Sequence, residues 1–411
     1  VLIHIYRFLT FFNQNNHIPH KKSNKQFLTD GNNCVFFGYH DKTPFSGDGS
    51  KVLAMSLSGN DTDASYECSI INIGYYNLNK NKDKFFNKFI KITETNLWCW
   101  QQGCMLQWNP INNNDEIIYN VLIENKYCSN IFSISYNKII KQFSFPIYCI
   151  SPNGKNAATL NFSRLGRLRP GYGYNILPDK TSNQFAPNCD GIFLADMHTG
   201  DTKLIIKISD LSIIAKSQNC ENYINHLNFS PDNNKLSFFH IWVDTNTKKR
   251  NIDFYVYDIS YNKTILLESK IIVSHYCWID DNTILATCKV KGKWGYYCYK
   301  IMYKVIKEHI SIPLSSDGHP MCCPIDNTVF LTDLRVNRRR DDGIAVFNSL
   351  TGNTIILSKF FIPLKYRGQV RCDLHPRWDR TGEKVCADVI KKGRRAMVIL
   401  SNIKLPKKLI K

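Results

Sequence analysis

The feature that most constrains this chain is a short segment that recurs seven times with different degrees of divergence. Its clearest copy starts at His226 and reads His-Leu-Asn-Phe-Ser-Pro-Asp-Asn-Asn-Lys-Leu-Ser-Phe-Phe. Apolar residues on both sides of a Pro/Asp/Asn turn predict two short antiparallel strands. We call this predicted β-hairpin the cassette, and we call the apolar or aromatic residue that ends its first strand the anchor.

The copies of the cassette are irregularly spaced, at roughly 40 to 80 residues, as in propeller blades with loops of variable length. A third strand such as 254–259 and an outer strand such as 202–206 follow the hairpin. The sequence therefore predicts an all-β fold, a seven-bladed β-propeller of four-stranded antiparallel blades. The seven anchors are Phe45, Trp108, Ile150, Phe229, Trp278, Cys322 and Trp378.

The repeat also predicts the domain organisation. A length of 411 residues alone would suggest two or three domains, but a propeller grows by adding blades around one axis. We expect a single propeller over 34–401, an N-terminal extension over 1–33 that supplies the ring-closing strand, and a basic C-terminal tail over 402–411. The apolar start, 1–12, is too short to span a membrane.

Charge and cysteine usage indicate the kind of partner and compartment. The formal net charge of +19 is distributed along the whole chain, which favours an anionic partner, although a Lys- and Asn-rich background would give the same count. Nucleic acid is disfavoured because neither an aromatic RNA-binding platform nor a helical reader is present. The 15 cysteines form no Cys-x-x-Cys pair and many lie within apolar strands, which predicts a reducing, cytoplasmic location.

Histidines occupy one position of the cassette in four consecutive blades. His226, His275, His319 and His375 each stand three residues before their anchor, and His40 lies close to this register in the first blade. The first strand of a propeller blade lines the central channel, so these side chains should converge at one end of it. Single histidines at this position usually have a structural role, but clustered imidazoles suit metal ligation or proton transfer.

Long basic segments follow the second strand of several blades. The segment 161–189 of the third blade contains Arg164, Arg167 and Arg169 followed by Tyr172 and Tyr174, and Arg338 lies in the equivalent segment of the sixth blade. Long loops of this kind are often functional. We expect them at the same end of the ring as the histidines, where arginine forks could bind carboxylates, although a solvated loop face would have the same composition.

Several short motifs resemble those of seven-bladed propeller polysaccharide lyases. Ser-His-Tyr-Cys-Trp at 274–278 and Asp-Leu-His-Pro-Arg-Trp at 373–378 are similar to motifs of oligogalacturonate lyase, and Arg-Pro-Gly-Tyr-Gly-Tyr at 169–174 is similar to ulvan-type lyases. The first resemblance implies a manganese ion held by histidines, with His275 and His375 matching ligands and Asp373 replacing a further histidine. His319 completes the expected metal set. The second implies catalysis by His226, Tyr174 and Arg169.

The reaction that these residue types suit is β-elimination on an acidic, uronate-containing oligo- or polysaccharide. Abstraction of the proton α to a uronate carboxylate builds up negative charge, which a cation or metal must stabilise. We expect catalysis to depend on His226, Arg169, Tyr174 and Arg164. Substrate binding is expected from His40, Arg167, Tyr172, Arg338 and Arg377.

Two other functional classes are compatible with the same residues. A non-catalytic propeller, associated with surface polysaccharide assembly, would use the cationic end of the ring to bind a glycan or a protein. A glycoside hydrolase would need two carboxyl groups, for which Asp317 and Asp373 are the best positioned in the sequence. The products formed from an acidic glycan would distinguish the three.

Overall fold

The computed structural model describes residues 18–19, 24–78, 88–269, 271–301, 305–310, 316–334 and 340–403, apart from the side chain of Cys68. Arg338 and most of the predicted N-terminal extension and C-terminal tail lie outside these ranges. Seven antiparallel sheets follow one another along the chain, so the predicted all-β, seven-bladed propeller is confirmed.

The first three blades have short inner strands and longer second strands. Blade 1 comprises Cys34–Phe36, Lys51–Leu57, Ile71–Asn77 and Phe89–Thr95. Blade 2 comprises Gln107–Trp108, Glu116–Ile123, Lys126–Ser133 and Lys138–Phe143. Blade 3 comprises Cys149–Ile150, Asn156–Thr159, Gly191–Asp196 and Thr202–Lys207.

The remaining four blades repeat this order, with long inner strands in blades 4 and 5. Blade 4 comprises Glu221–Phe229, Lys235–Val243, Arg250–Asp258 and Lys263–Glu268. Blade 5 comprises Ile272–Asp280, Thr283–Val290, Lys293–Lys300 and Ile306–Ile310. Blade 6 comprises Met321–Cys323, Asp326–Leu334, Asp341–Asn348 and Thr354–Phe361, and blade 7 comprises Arg377–Trp378, Val385–Lys391 and Arg394–Ser401.

Helical segments are few and lie between strands. Two α-helices occur in the described ranges, Phe162–Leu168, here α1, and Ile208–Ala215, here α2. Short 3-10 helices occur at Ala64–Cys68, Pro110–Asn112 and Gly368–Val370. Helix α1 opens the long segment of blade 3 and thereby leads the chain to Arg169 and Tyr172.

The cassette turn has a common hydrogen-bonding pattern that explains its sequence. In blade 4 the Ser230 hydroxyl donates to the Asp232 carboxylate, which also accepts the backbone N–H of Asn234 at 3.1 Å. Asn233 then adopts a left-handed conformation with φ of 70°, and Gly154 holds the equivalent position in blade 3 with φ of 71°. Asn and Gly tolerate this backbone conformation, so the turn selects the Asn/Gly pattern of the repeat.

Burial follows strand position within a blade. In blade 1 the second strand is buried on both faces, with Val52, Leu53 and Ala54 fully inaccessible, because neighbouring blades cover it. Outer strands such as Lys138–Phe143 instead expose most of their residues. Packing between blades therefore supplies the hydrophobic core, and it fixes the inner strands from which the site side chains project.

The N-terminal segment contributes strands to the last two blades. Asn24–Leu28 pairs antiparallel with Arg394–Ser401 as the outermost strand of blade 7, and Ile18–Pro19 pairs parallel with Thr354–Phe361 of blade 6. Blade 7 therefore combines three strands from the C-terminal part of the chain with one from its N-terminal part. This pairing joins the two ends of the described chain.

Replacement of Leu28 by alanine should lower the free energy of unfolding by about 2–5 kcal/mol, because Leu28 is fully buried in the closing strand. Chemical denaturation would measure the change. The matched control is Asn24→Ala in the same strand, where the side chain is exposed and little effect is expected. Equal stability of the Leu28 variant and the wild type would show that closure does not depend on this strand.

Candidate functional site

Backbone distortions set the direction of two register histidines. The pairing of the first two strands of blade 4 shifts between Asn225 and Asn228, and His226 within this bulge has φ of 56°. His375 has φ of 41°, and Met105, at the same register in blade 2, has φ of 56°. Non-glycine residues rarely adopt such values, and bulges of this kind re-aim side chains near functional sites.

Hydrogen bonds to buried tyrosines hold the distorted strand at His226. Its backbone N–H donates to the Tyr148 hydroxyl at 3.1 Å, and the Tyr276 hydroxyl donates to its carbonyl oxygen. Tyr148 in turn accepts a hydrogen bond of 2.6 Å from the Gln102 side chain. The imidazole is therefore placed by blades 2, 3 and 5 as well as by its own strand.

The structure brings all the register histidines together around one buried tyrosine, Tyr39. The ring centroids of His226 and His375 each lie 4.9 Å from that of Tyr39, and those of His275 and His319 each lie 6.0 Å away. His40 packs at 4.6 Å from the same ring. Five imidazoles from blades 1, 4, 5, 6 and 7 thus form one cluster, which we call the histidine cluster.

Tyr39 connects members of the histidine cluster by hydrogen bonds. Its hydroxyl lies 2.7 Å from Nδ1 of His275 and 3.4 Å from Nε2 of His226. The Tyr39 ring also stacks on the His226 ring. Burial raises the pKa of Tyr39 well above its usual value, so the phenol keeps its proton. The phenol therefore links the two imidazoles as a neutral, proton-bearing group.

Burial also keeps members of the cluster neutral. The pKa values of His40 and His226 lie well below their usual value, first because both rings are buried and then because His275 is close to each. A neutral imidazole retains a lone pair, which can accept a proton or bind a metal. His40 and His226 therefore have the protonation state that either role requires.

Three residues of the cluster region have metal-ligand geometry. One ligand atom from each of His319, Asp373 and His375 lies within 4.8 Å of the others. Nδ1 of His319 lies 2.8 Å from the Asp333 carboxylate, and Nδ1 of His375 lies 2.7 Å from the carbonyl oxygen of Gly38. An acceptor at Nδ1 leaves the lone pair of a neutral imidazole at Nε2, an arrangement common among metal-binding histidines.

His275, also predicted as a ligand, lies beside this group rather than within it. Its ring centroid is 3.9 Å from that of His319, but its Nε2 lies 3.3 Å from the Asp317 carboxylate and its Nδ1 is bonded to Tyr39. The Asp317 carboxylate also accepts a hydrogen bond of 2.7 Å from Ser274. The geometry therefore separates a possible ligand group, His319–Asp373–His375, from a hydrogen-bonded group around His275.

A cationic cleft of about 300 Å³ opens next to the cluster, and we call it the main cleft. His226 and His275 lie in its wall together with Asp317. Burial and the neighbouring Arg169 lower the pKa of Arg250, as expected where like charges are held together. The cationic side chains that line the main cleft are Arg169, Arg250, Lys289 and Arg371.

Two of these arginines are organised by Tyr172. The guanidinium groups of Arg169 and Arg371 lie over its ring, with centroid distances of 4.9 Å and 5.3 Å, and Arg371 also donates to its hydroxyl. Asp373 accepts a hydrogen bond of 2.8 Å from Arg371. Arg371 thereby connects the main cleft to the possible ligand group.

The local fold of 169–174 explains why Tyr172 reaches the main cleft while Tyr174 does not. Gly173 packs against helix α1 so closely that a Cβ atom would lie 2.2 Å from the backbone nitrogen of Gly166. Tyr174 then stacks on Phe162 with a centroid distance of 4.5 Å and bonds the Asn120 side chain, which buries it. This placement gives Tyr174 a packing role.

The three arginines predicted to bind substrate carboxylates from segment 161–189 have different environments: one lines the main cleft, and two form structural ion pairs. Arg164 is buried, and all of its guanidinium N–H groups donate to protein acceptors, among them the Glu221 carboxylate and the Thr181 carbonyl. Arg167 forms ion pairs with Asp179 at 3.0 Å and with Glu221 at 2.9 Å. Only Arg169 of the three lines the main cleft.

Arg377, predicted to bind substrate, is fully buried. It donates to the carbonyl oxygens of Gly38 and Tyr39 and pairs with Asp388 at 2.9 Å. These contacts hold the backbone that carries Tyr39 and His40, so the structure gives Arg377 a positioning role.

Sequence reasoning did not single out Tyr39, Lys289, Trp294 or Arg371. Tyr39 directly precedes His40, so its position beside a register histidine was a usable signal. Lys289 and Trp294 pair across the hairpin of blade 5, and both line the main cleft. Their isolated positions, outside any basic run, give no such signal.

Comparisons with known proteins support the architecture. No family model matches the sequence, and no curated protein matches it. The structure of an oligogalacturonate lyase in complex with manganese matches with a TM-score of 0.65 at 14% identity, covering 96% of this chain and 99% of that one. An oligogalacturonate lyase from Vibrio parahaemolyticus matches with a TM-score of 0.64 at 14% identity, covering 95% and 98%.

More distant propellers also match, including TolB from Acinetobacter baumannii with a TM-score of 0.41 at 15% identity, covering 81% of this chain and 76% of that one. At 14% identity the two oligogalacturonate lyase structures support the fold class only, and the chain is a seven-bladed β-propeller. Among the described residues, neither α-helix has the length and apolar character needed to cross a bilayer. Every cysteine whose side chain is described is a free thiol.

His240, on the second strand of blade 4, has a structural role. It is fully buried, its Nε2 bonds the Asn222 side chain at 2.9 Å, and burial lowers its pKa from 6.5 to about 3. The unfolded chain therefore binds a proton below pH 6.5 that the folded chain does not. This contribution to stability is complete above that pH and is lost as the pH falls towards 3.

We therefore expect His240→Gln to reduce the pH dependence of unfolding. Between about pH 6 and 4, the slope of the unfolding free energy against pH should fall by about 1.4 kcal/mol per pH unit, the value for one proton. Denaturant titrations at several pH values would measure both slopes, with exposed His198→Gln as the control. An unchanged slope in the His240 variant would contradict the assignment of a neutral, buried imidazole.

Proposed function

We propose that this protein is a lyase that cleaves an acidic, uronate-containing glycan by β-elimination. The observation that supports the proposal best is the juxtaposition of neutral, buried imidazoles with a cleft lined by four cationic side chains. β-Elimination next to a carboxylate requires a base, a cationic environment for the developing charge and a proton donor for the leaving group. The main cleft contains residue types for each requirement.

The cations of the main cleft bind and polarise the uronate carboxylate in this proposal. Arg169 and Lys289 lie over aromatic rings, and Arg250 bonds the Tyr223 side chain. Among the described residues no carboxylate forms a salt bridge with these three cations, so a substrate carboxylate can pair with them. Arg169 is the best placed, since it lies over Tyr172 and beside Arg250. Arginine presents a planar fork that matches a carboxylate, and bound charge would be stabilised strongly inside a partly closed cleft.

His226 acts as the base and Tyr172 as the proton donor. The neutral imidazole removes the proton α to the carboxylate, and the C–H electron pair becomes the new carbon–carbon double bond. The bond between the β carbon and the glycosidic oxygen breaks, and the leaving oxygen takes the Tyr172 phenol proton. The Arg371 guanidinium donates a hydrogen bond to the Tyr172 hydroxyl and so holds the phenol at the main cleft.

The possible ligand group fits a divalent cation such as manganese. His319 and His375 offer imidazole nitrogen, which suits several divalent transition metals, and Asp373 offers carboxylate oxygen, which suits manganese. Acceptors at Nδ1 fix the orientation of the two imidazole rings. A bound cation would act as a Lewis acid on the uronate carboxylate. Arg371 already contacts Asp373, so it couples this group to the carboxylate-binding side of the main cleft.

An activity screen tests the proposal directly. Purified protein would be incubated with pectate, ulvan and glucuronan, with and without manganese, while the ultraviolet absorbance of unsaturated uronate is followed. We expect absorbance to rise with at least one of these glycans. A protein that retards the migration of an acidic glycan without producing this absorbance would instead be a glycan-binding propeller.

A further inference from the structure

A second cleft lies on the segment 364–370, directly before Arg371 of the main cleft in the sequence. Its volume is about 530 Å³, and Thr62, Lys365, Arg367 and Gln369 lie in its wall. The side chains of Lys365 and Arg367 are exposed, and among the residues that the structure describes no carboxylate lines this cleft. Its two cations and neutral polar groups therefore favour an anionic ligand.

One short segment connects the two clefts. Arg371 lines the main cleft, and Arg367, only four residues earlier, lines the second cleft. Because consecutive Cα atoms are about 3.8 Å apart, the two arginine Cα atoms can be separated by at most about 15 Å. An oligosaccharide of a few units covers such a distance, so one glycan chain can reach both clefts.

The end of the connecting segment, residues 369–371, is held by hydrogen bonds from Gln101. The Gln101 side chain donates to the carbonyl oxygens of Gln369 at 2.8 Å and Arg371 at 3.1 Å, and its backbone N–H donates to the Gly171 carbonyl at 2.9 Å. A Cβ atom on Gly171, which has φ of 88°, would lie 3.0 Å from the Gln369 side chain. These contacts fix the backbone of Gln369 and Arg371 relative to Gly171, the residue before Tyr172.

From this arrangement we propose that the second cleft binds uronate carboxylates several units away from the scissile bond. This inference rests on the proposed function, and it defines the substrate class: an acidic polymer or long oligosaccharide is preferred over a disaccharide. Arg371 and Arg169 hold the reacting unit, while Arg367 and Lys365 hold a distant part of the same chain. Segment 364–371 is the continuous support for both contacts.

The test measures the affinity of the protein for digalacturonate and hexagalacturonate by calorimetry. We expect hexagalacturonate to bind at least about tenfold more tightly, the effect of one or two added charge-assisted contacts. The double variant Lys365→Glu/Arg367→Glu should remove this difference and leave digalacturonate binding unchanged. The control Lys203→Glu/Lys207→Glu alters the net charge equally on the exposed outer strand of blade 3 and should keep the difference.

Equal affinity for the two lengths, or an equal loss for both in the double variant, would overturn the inference. Loss of the difference in the control variant would also overturn it, because the preference would then reflect overall charge. The proposed function has a separate criterion. Length-dependent binding without turnover would reject the lyase alone, and turnover of digalacturonate without length dependence would reject the second cleft alone.

Discussion

Replacement of His226 by asparagine is expected to reduce turnover of the uronate glycan about 10²- to 10⁴-fold, the usual contribution of a positioned general base. Asparagine is the appropriate substitute because residue 226 has φ of 56°, a conformation that asparagine tolerates. The variant therefore removes the lone pair that accepts the substrate proton. The substitution itself should put little strain on the bulged strand. Initial rates of absorbance increase would measure the loss.

The His226 prediction requires that the fold be unaffected. Circular dichroism and thermal unfolding of His226→Asn should match the wild type, and exposed His198→Asn provides a matched control that should keep full activity. Since His226 is neutral at ordinary pH, the rate should not fall on mild acidification through protonation of its imidazole. A fully active His226→Asn protein would show that another group is the base.

The second large effect concerns metal binding. His319→Ala and His375→Asn should each abolish stoichiometric binding of manganese, because either change removes one of only three protein donors in the possible ligand group. Asp333→Asn should have a smaller effect, a roughly 10- to 100-fold loss of affinity, since Asp333 acts through its hydrogen bond to His319. Titration followed by electron paramagnetic resonance of free manganese would measure all three.

Exposed His309→Ala is the control for metal binding, because His309 lies on the outer strand of blade 5 and packs on Tyr297. Its manganese affinity should equal that of the wild type. Removal of one partner from the buried His319–Asp333 pair is expected to destabilise the fold by about 3–5 kcal/mol, so thermal unfolding must accompany each titration. Folded His319 and His375 variants that bind manganese like the wild type would contradict the assignment.

The fold was predictable because its signal is local and repeated. Each cassette turn needs a residue that tolerates a left-handed backbone, such as Asn233 or Gly154, and this requirement repeats with the blades. The convergence of the histidines followed from the same repeat, since equivalent positions of inner strands face one channel. Residues at the same position of the repeat are therefore close together in the propeller, although they are far apart in the sequence.

The parts of the site that sequence reasoning missed depend on contacts between distant residues. Arg164 and Arg167 looked like free cations, but Glu221, more than fifty residues away along the chain, neutralises much of their charge. The sequence predicts Tyr174 for catalysis and Tyr172 for substrate binding, but the packing of Gly173 against helix α1 leaves only Tyr172 at the main cleft. Arg371 gains its importance from Tyr172, which lies 199 residues before it.

The most direct test of the account is mass spectrometry of the products formed from a uronate oligosaccharide. Elimination breaks the chain without adding water, so the masses of the two fragments should sum to the mass of the substrate, and one fragment should carry the double bond. Hydrolysis would make that sum heavier by one water molecule. Fragments with the added water would contradict the proposed lyase and favour a glycoside hydrolase that uses Asp317 and Asp373.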